Sequence, residues 1–111
     1  MRMSQFAPFT LGLCLVVLPV LPQGNAKAGD AEKGKEVFEQ CGVCHYPDKT
    51  EKKMGPGLKG LFKAEKMANG KKPTEANVRE IIDKGGNGMP AYEEILTDEE
   101  KNDIIAYLKT L

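Results

Sequence analysis

Five consecutive residues, Cys41-Gly42-Val43-Cys44-His45, constrain this chain more than any other stretch. Two cysteines two residues apart, with a histidine directly after the second, form the pattern that holds haem covalently. The chemistry explains the spacing. Each thiol adds to one vinyl group of the macrocycle as a thioether, and two intervening residues span the gap between the vinyls. The next residue then brings an imidazole to the iron from one face. His45 is the only histidine among the 111 residues, so an iron bound here uses the one imidazole of the chain.

The residues before this motif divide into a targeting segment and the start of a domain. Arg2 supplies positive charge, Leu11 to Leu21 is almost wholly apolar, and Ala26-Lys27-Ala28 has the small-x-small pattern of a signal-peptidase site. The apolar run is too short to span a bilayer and is interrupted by Pro19 and Pro22. Residues 1–28 are therefore expected to be a cleaved signal peptide. The chain is expected to be exported to the periplasm or an equivalent extracytoplasmic or lumenal compartment. Cys14 reads as a small hydrophobe of the removed segment, because Leu13 before it does not suit a lipid-attachment cysteine. Residues 29–111 then form one domain whose only cysteines are Cys41 and Cys44. A chain this short rarely builds a sufficient core from side chains alone. A large apolar cofactor bonded to it would supply the missing core.

Charge is balanced overall, with 16 basic and 16 acidic residues, and gives no support to nucleic-acid binding. Its distribution is uneven. Tyr46 to Pro73 holds eight lysines against three acidic residues, whereas Thr74 to Leu111 holds four basic residues against nine acidic ones. A domain that keeps these segments apart is dipolar.

Helical periodicity dominates and strand signals are nearly absent, so the fold class is all-α. Asp30 reads as the N-cap of a helix over about Ala31 to Gln40, with Gly34, Val37, Phe38 and Cys41 on one face. Gly34 is either an incidental weakness of that helix or a point of close approach by another. Pro47, Gly55, Pro56, Gly57 and Gly60 forbid a long helix in the next stretch. Lys63 to Asn69 reads as a short helix stopped at Asn69-Gly70. Thr74 caps a helix over about Glu75 to Lys84, and Gly85 to Gly88 open a flexible loop carrying Met89-Pro90-Ala91-Tyr92. Thr97-x-x-Glu100 is a capping box for a last helix whose stripe is Ile104, Ile105, Tyr107, Leu108 and Leu111.

An iron held by His45 has an opposite axial position to fill or leave open. No second histidine is present, and the methionines after the motif are Met54, Met67 and Met89. Met54 follows His45 too closely to reach the far face easily, and Met67 reads as packing. Met89 lies 44 residues beyond His45 on a separate loop stiffened by Pro90. On spacing it is the best placed of the three, with core filling as its competing role.

Taken together, these stretches resemble the class I cytochromes c, small one-haem electron carriers. Gly34 and Phe38 are similar to the family's glycine and aromatic in the first helix. Gly55-Pro56-Gly57-Leu58-Lys59-Gly60 is similar to its Gly-Pro-x-Leu-x-Gly turn, and Met89-Pro90-Ala91-Tyr92 to its distal-ligand loop. Leu96 to Glu100 and Ile105 to Leu108 match its last helix. The resemblance implies three to four helices wrapped around one haem c, bonded through Cys41 and Cys44. It implies axial ligation by His45 and Met89, a Pro56 carbonyl that accepts from the His45 ring, and a close crossing of helices at Gly34 near Tyr107. The family's frequent tryptophan against a haem propionate has no counterpart here.

The implied function is one-electron transfer between redox protein partners, by a monomer that is not an enzyme. Docking is expected through the lysine-rich 46–73 segment or the haem edge. A haem enzyme or gas sensor would need an open sixth position, against which Met89 stands. A thiol–disulfide module would need a βαβ context that the sequence lacks.

Overall fold

The fold was analysed in a computed structural model that describes residues 8, 12, 14–19 and 28–111. The Arg2 charge, the Ala26-Lys27 part of the cleavage pattern and both ends of the Leu11–Leu21 run lie outside the described residues. No helix among the described residues is long and apolar enough to cross a membrane.

Among the described residues, three α-helices and one 3-10 turn make up the regular structure, and the all-α expectation holds. Helix α1 spans Ala31–Phe38, a 3-10 turn spans Leu61–Lys63, α2 spans Glu75–Lys84 and α3 spans Asp98–Leu108. Each helix begins at the residue its sequence marks. Asp30 accepts from the amides of Glu32 and Lys33, and Thr74 from that of Asn77. Thr97 and Glu100 close a reciprocal capping box. Each cap satisfies amides that have no partner within the helix and that would otherwise rely on water.

Helix α1 packs on α3, and the contact is polar as well as apolar. A β-carbon at Gly34 would stand 1.9 Å from the Asp103 carbonyl oxygen and 2.9 Å from the Tyr107 β-carbon. Gly34 is thus a point of close approach, and the cost of a glycine inside α1 has a packing reason. Beside this crossing the Phe38 and Tyr107 rings tilt together at 5.3 Å. Asp103 is buried on α3, and its carboxylate accepts the Asp30 amide at 2.7 Å, so the residue that caps α1 is itself held by α3. The core is Phe38, Met67, Val78, Ile82, Leu96, Ile104, Ile105 and Leu108. Each such side chain contributes roughly 1.5–3 kcal/mol by leaving water.

Two local expectations are corrected. Lys63 to Asn69 is not a helix: only Leu61–Lys63 turns regularly, and the chain then loops back. The Met67 amide donates to the Lys71 carbonyl at 2.8 Å, and the Gly70 amide to Met67 at 2.9 Å. Seven residues are too few for a helix that is stable without packing. Looping back buries Met67, the apolar anchor of the stretch, in the core. The second correction concerns Gly85 to Gly88, expected as a flexible loop. Gly86 and Met89 exchange both backbone hydrogen bonds at 3.0 Å across Asn87 and Gly88, which both have positive φ. This is the backbone of a tight turn of the kind Asn-Gly favours.

Candidate haem site

The cysteine motif continues α1 as a succession of turns. The amides of Cys41 and Gly42 donate to the Phe38 carbonyl, and those of Cys44 and His45 to the Cys41 carbonyl. Residues three and four apart in such turns share a side. The backbone therefore aims Cys41, Cys44 and His45 the same way. Both thiols are free and partly exposed. Burial, and then the charge of Cys44, push the Cys41 thiol above its ordinary value.

The Gly-Pro turn is stitched to the motif on either side of His45. The Gly55 amide donates to the Cys44 carbonyl and the Leu58 amide to the Tyr46 carbonyl, each at 2.8 Å. Between these bonds the Pro56 carbonyl oxygen lies 2.7 Å from His45 Nδ1. A carbonyl oxygen can only accept, so Nδ1 is the donor in this contact, and Nε2 is the ring nitrogen left to face a metal. Gly55 lies flat against the ring: a β-carbon there would come within 2.5 Å of His45 Cε1. The imidazole is fixed in tilt by Gly55 and in tautomer by Pro56. Lys53 closes the same turn, donating from Nζ to the Gly42 carbonyl at 3.0 Å.

Cys41, Cys44, His45 and Pro56 thus come together in one place. Met54 joins them at the surface, its sulfur 3.9 Å from Cys44 Sγ. Met89 stands on another element, half-buried at the end of the Gly86–Met89 turn. Its segment does approach the motif. Burial raises the Tyr92 phenol, and the charges of Cys41 and Cys44 raise it further. Two free thiols, an imidazole whose Nε2 is not engaged by the Pro56 contact and a thioether on a separate loop form a donor set that fits a haem bonded to the chain.

Around the motif the surface mixes apolar and basic groups. Val43 and Met54 are exposed, and the Lys49 and Lys53 ammoniums lie 4.9 and 5.1 Å from the centre of the Tyr46 ring. Sequence reasoning passed over one residue near the Met89 loop, Lys101. It lies on the apolar stripe of α3, three positions before Ile104, yet it is a buried lysine. A charged residue in step with an apolar stripe is the signal that marks it.

Comparison with known proteins places this site in a family. The family model for cytochrome c matches residues 31–111, which includes the motif, the Gly-Pro turn, the Met89 loop and α3. The chain belongs to the class I cytochrome c family. Cytochrome c6 of Rippkaea orientalis is 34% identical, over 86% of this chain and 84% of its own. Cytochrome c2 of Blastochloris viridis is 37% identical, over 88% of both. The solved structure of cytochrome c6 from the diatom Phaeodactylum tricornutum matches with a TM-score of 0.56 at 29% identity. It covers 74% of this chain and 93% of that one. Membership carries the family's covalently bound haem c and its role in electron transport, and it sets the enzyme and thiol–disulfide readings aside.

Proposed function

We propose that this cytochrome is a soluble carrier of single electrons, with one haem c held between His45 and Met89 and bonded through Cys41 and Cys44. The observation that carries the reading is the 2.7 Å contact between His45 Nδ1 and the Pro56 oxygen, made beside two free cysteines. A bound haem supplies a centre that alternates between ferric and ferrous iron. The chain's residues determine how it does so. Pro56 keeps the His45 proton on Nδ1, which leaves Nε2 to the iron and raises the ligand's basicity. Gly55 prevents the ring from rotating. Met89 supplies a soft sulfur that favours the ferrous state and raises the reduction potential. His45 and Met89 would hold the haem between them and leave no coordination position for a substrate.

Residues 1–28 act as the export signal and 29–111 as the haem domain, a monomer in the periplasm or an equivalent lumen. Partners dock where the lysine-rich 46–73 segment meets the exposed Val43 and Met54 at the motif. The test is a pyridine haemochrome assay on the mature protein, followed by carbon monoxide titration of the ferrous form. The expected result is one c-type haem per chain, not extractable by acidified acetone, and little carbon monoxide binding. Extractable haem, or ready binding of carbon monoxide, would overturn the reading.

A further inference from the structure

Lys101 is 4% exposed, and its ammonium sits where three elements meet. Its Nζ is 2.7 Å from Asp83 Oδ1, in the last turn of α2, and donates to the Glu93 carbonyl at 3.2 Å. The Asp98 carboxylate is more distant, at 3.8 Å, and is itself largely exposed. Asp83 Oδ1 is buried with no hydrogen-bond donor aligned on it among the described residues, so the ammonium is what compensates its charge. Glu93 belongs to the return leg of the loop that carries Met89. That leg is tied to α2 by the Tyr92 amide on the Ile82 carbonyl at 2.9 Å and the Glu93 amide on the Asp83 carbonyl at 3.2 Å. It ends at Leu96 in the core.

A buried charge is costly unless paired, and a buried pair often contributes no more stability than well-packed apolar side chains would. Stability alone therefore does not account for a lysine on this stripe. What the pair does is fix an arrangement: one ammonium fastens the end of α2 and the return leg of the loop to α3. The outbound leg is already closed by the Gly86–Met89 turn. Lys101 is the side chain that braces the other leg from α3.

We propose that Lys101, through Asp83 and the Glu93 carbonyl, is a positioning residue for the sixth ligand. It sets how often the 86–96 loop opens and Met89 withdraws from the iron. This rests on the reading of Met89 as the axial ligand. A competing ligand binds only when Met89 is away, so its apparent affinity follows the open fraction of the loop.

The test uses the haem-loaded protein with Lys101→Met, Lys101→Arg and Lys109→Met variants. Lys109, the C-cap of α3, is paired with Glu75 on α2 rather than with Asp83 or Glu93, which makes it the control. In Lys101→Met, the Tyr92 and Glu93 amides should exchange with solvent at least about tenfold faster relative to the amides of α1 and α3. Imidazole should bind the ferric protein at least about tenfold more tightly. Lys101→Arg should recover most of both changes, and Lys109→Met should match the parent. Should Lys101→Met not accumulate, Asp83→Asn removes the anionic half of the brace and is expected to move both readouts the same way. Values within about twofold of the parent in both readouts overturn the proposal. So does a rise in exchange shared equally by loop and helices, or a looser loop with unchanged imidazole affinity. Failure of the ligand assignment itself reads out separately, as a Met89→Ala variant whose spectrum does not change.

Discussion

At Gly34 a hydrogen stands where any other residue would place a carbon 1.9 Å from a backbone oxygen of α3. Two effects oppose each other in Gly34→Ala. Helix propensity favours alanine by up to about 1 kcal/mol. The clash cannot be relieved by a rotamer, because the nearest atom is backbone, so α1 and α3 must part and Phe38 and Tyr107 with them. Overpacking of this kind costs about 1–3 kcal/mol. The clash wins: the variant should unfold at lower denaturant concentration, and a midpoint at or above the parent's would contradict the crossing. Sequence alone left this glycine between two roles, since nothing local distinguishes an incidental glycine from one pressed against a distant helix. The tautomer of His45 was likewise legible only as an implication of resemblance. The contact that sets it is made by a carbonyl oxygen, which no side-chain identity records.

At the scale of elements, capping residues were the most readable features. Asp30, Thr74 and Thr97 start the helices where their side chains say they should. The stretch from Lys63 to Asn69 departs from the short helix expected before Asn69-Gly70 because tertiary burial of Met67 decides its path. The Gly86–Met89 turn was hidden by its glycines, although Asn87-Gly88 carried the signal. Helix α2 offers a pH test. Glu80 accepts from Lys71 and Lys84, and these hydrogen bonds, Lys71 first, hold its carboxyl below the usual glutamate value. A lowered folded value means the stabilisation is complete above the unfolded value of about 4.3 and is lost as pH falls through the folded one. The pair is exposed, so the effect is small and screened by salt. Glu80→Gln should be less stable than the parent near neutral pH and converge with it in acid. A stability difference that stays constant through pH 3 would contradict this origin.

Over the whole molecule, the sequence places eight lysines between Tyr46 and Pro73 and nine acidic residues after Thr74. The fold sets Lys49 and Lys53 at the cysteine motif, beside exposed Val43 and Met54. If this face steers encounter with an acidic partner, electron-transfer rates should fall steeply as ionic strength rises. Rates independent of salt would show that the lysines are only a solvated surface. The all-α class was legible because the helices carry strong caps, and the grouping of Cys41, Cys44, His45 and Pro56 because covalent attachment demands a fixed local motif. How the Met89 segment is held to α2 and α3 was not, since it depends on one buried lysine that meets its partners only through the fold. In the proposed function, the motif at residues 41–45 and the loop at Met89 form the two sides of one closed electron-transfer site. Its most direct test is the absorption spectrum and redox titration of Met89→Ala beside the parent. The variant should lose the ferric iron–sulfur charge-transfer band, and its potential should fall by on the order of 0.1 V, within the ~0.8 V range that axial ligands span. An unchanged band and potential would contradict it.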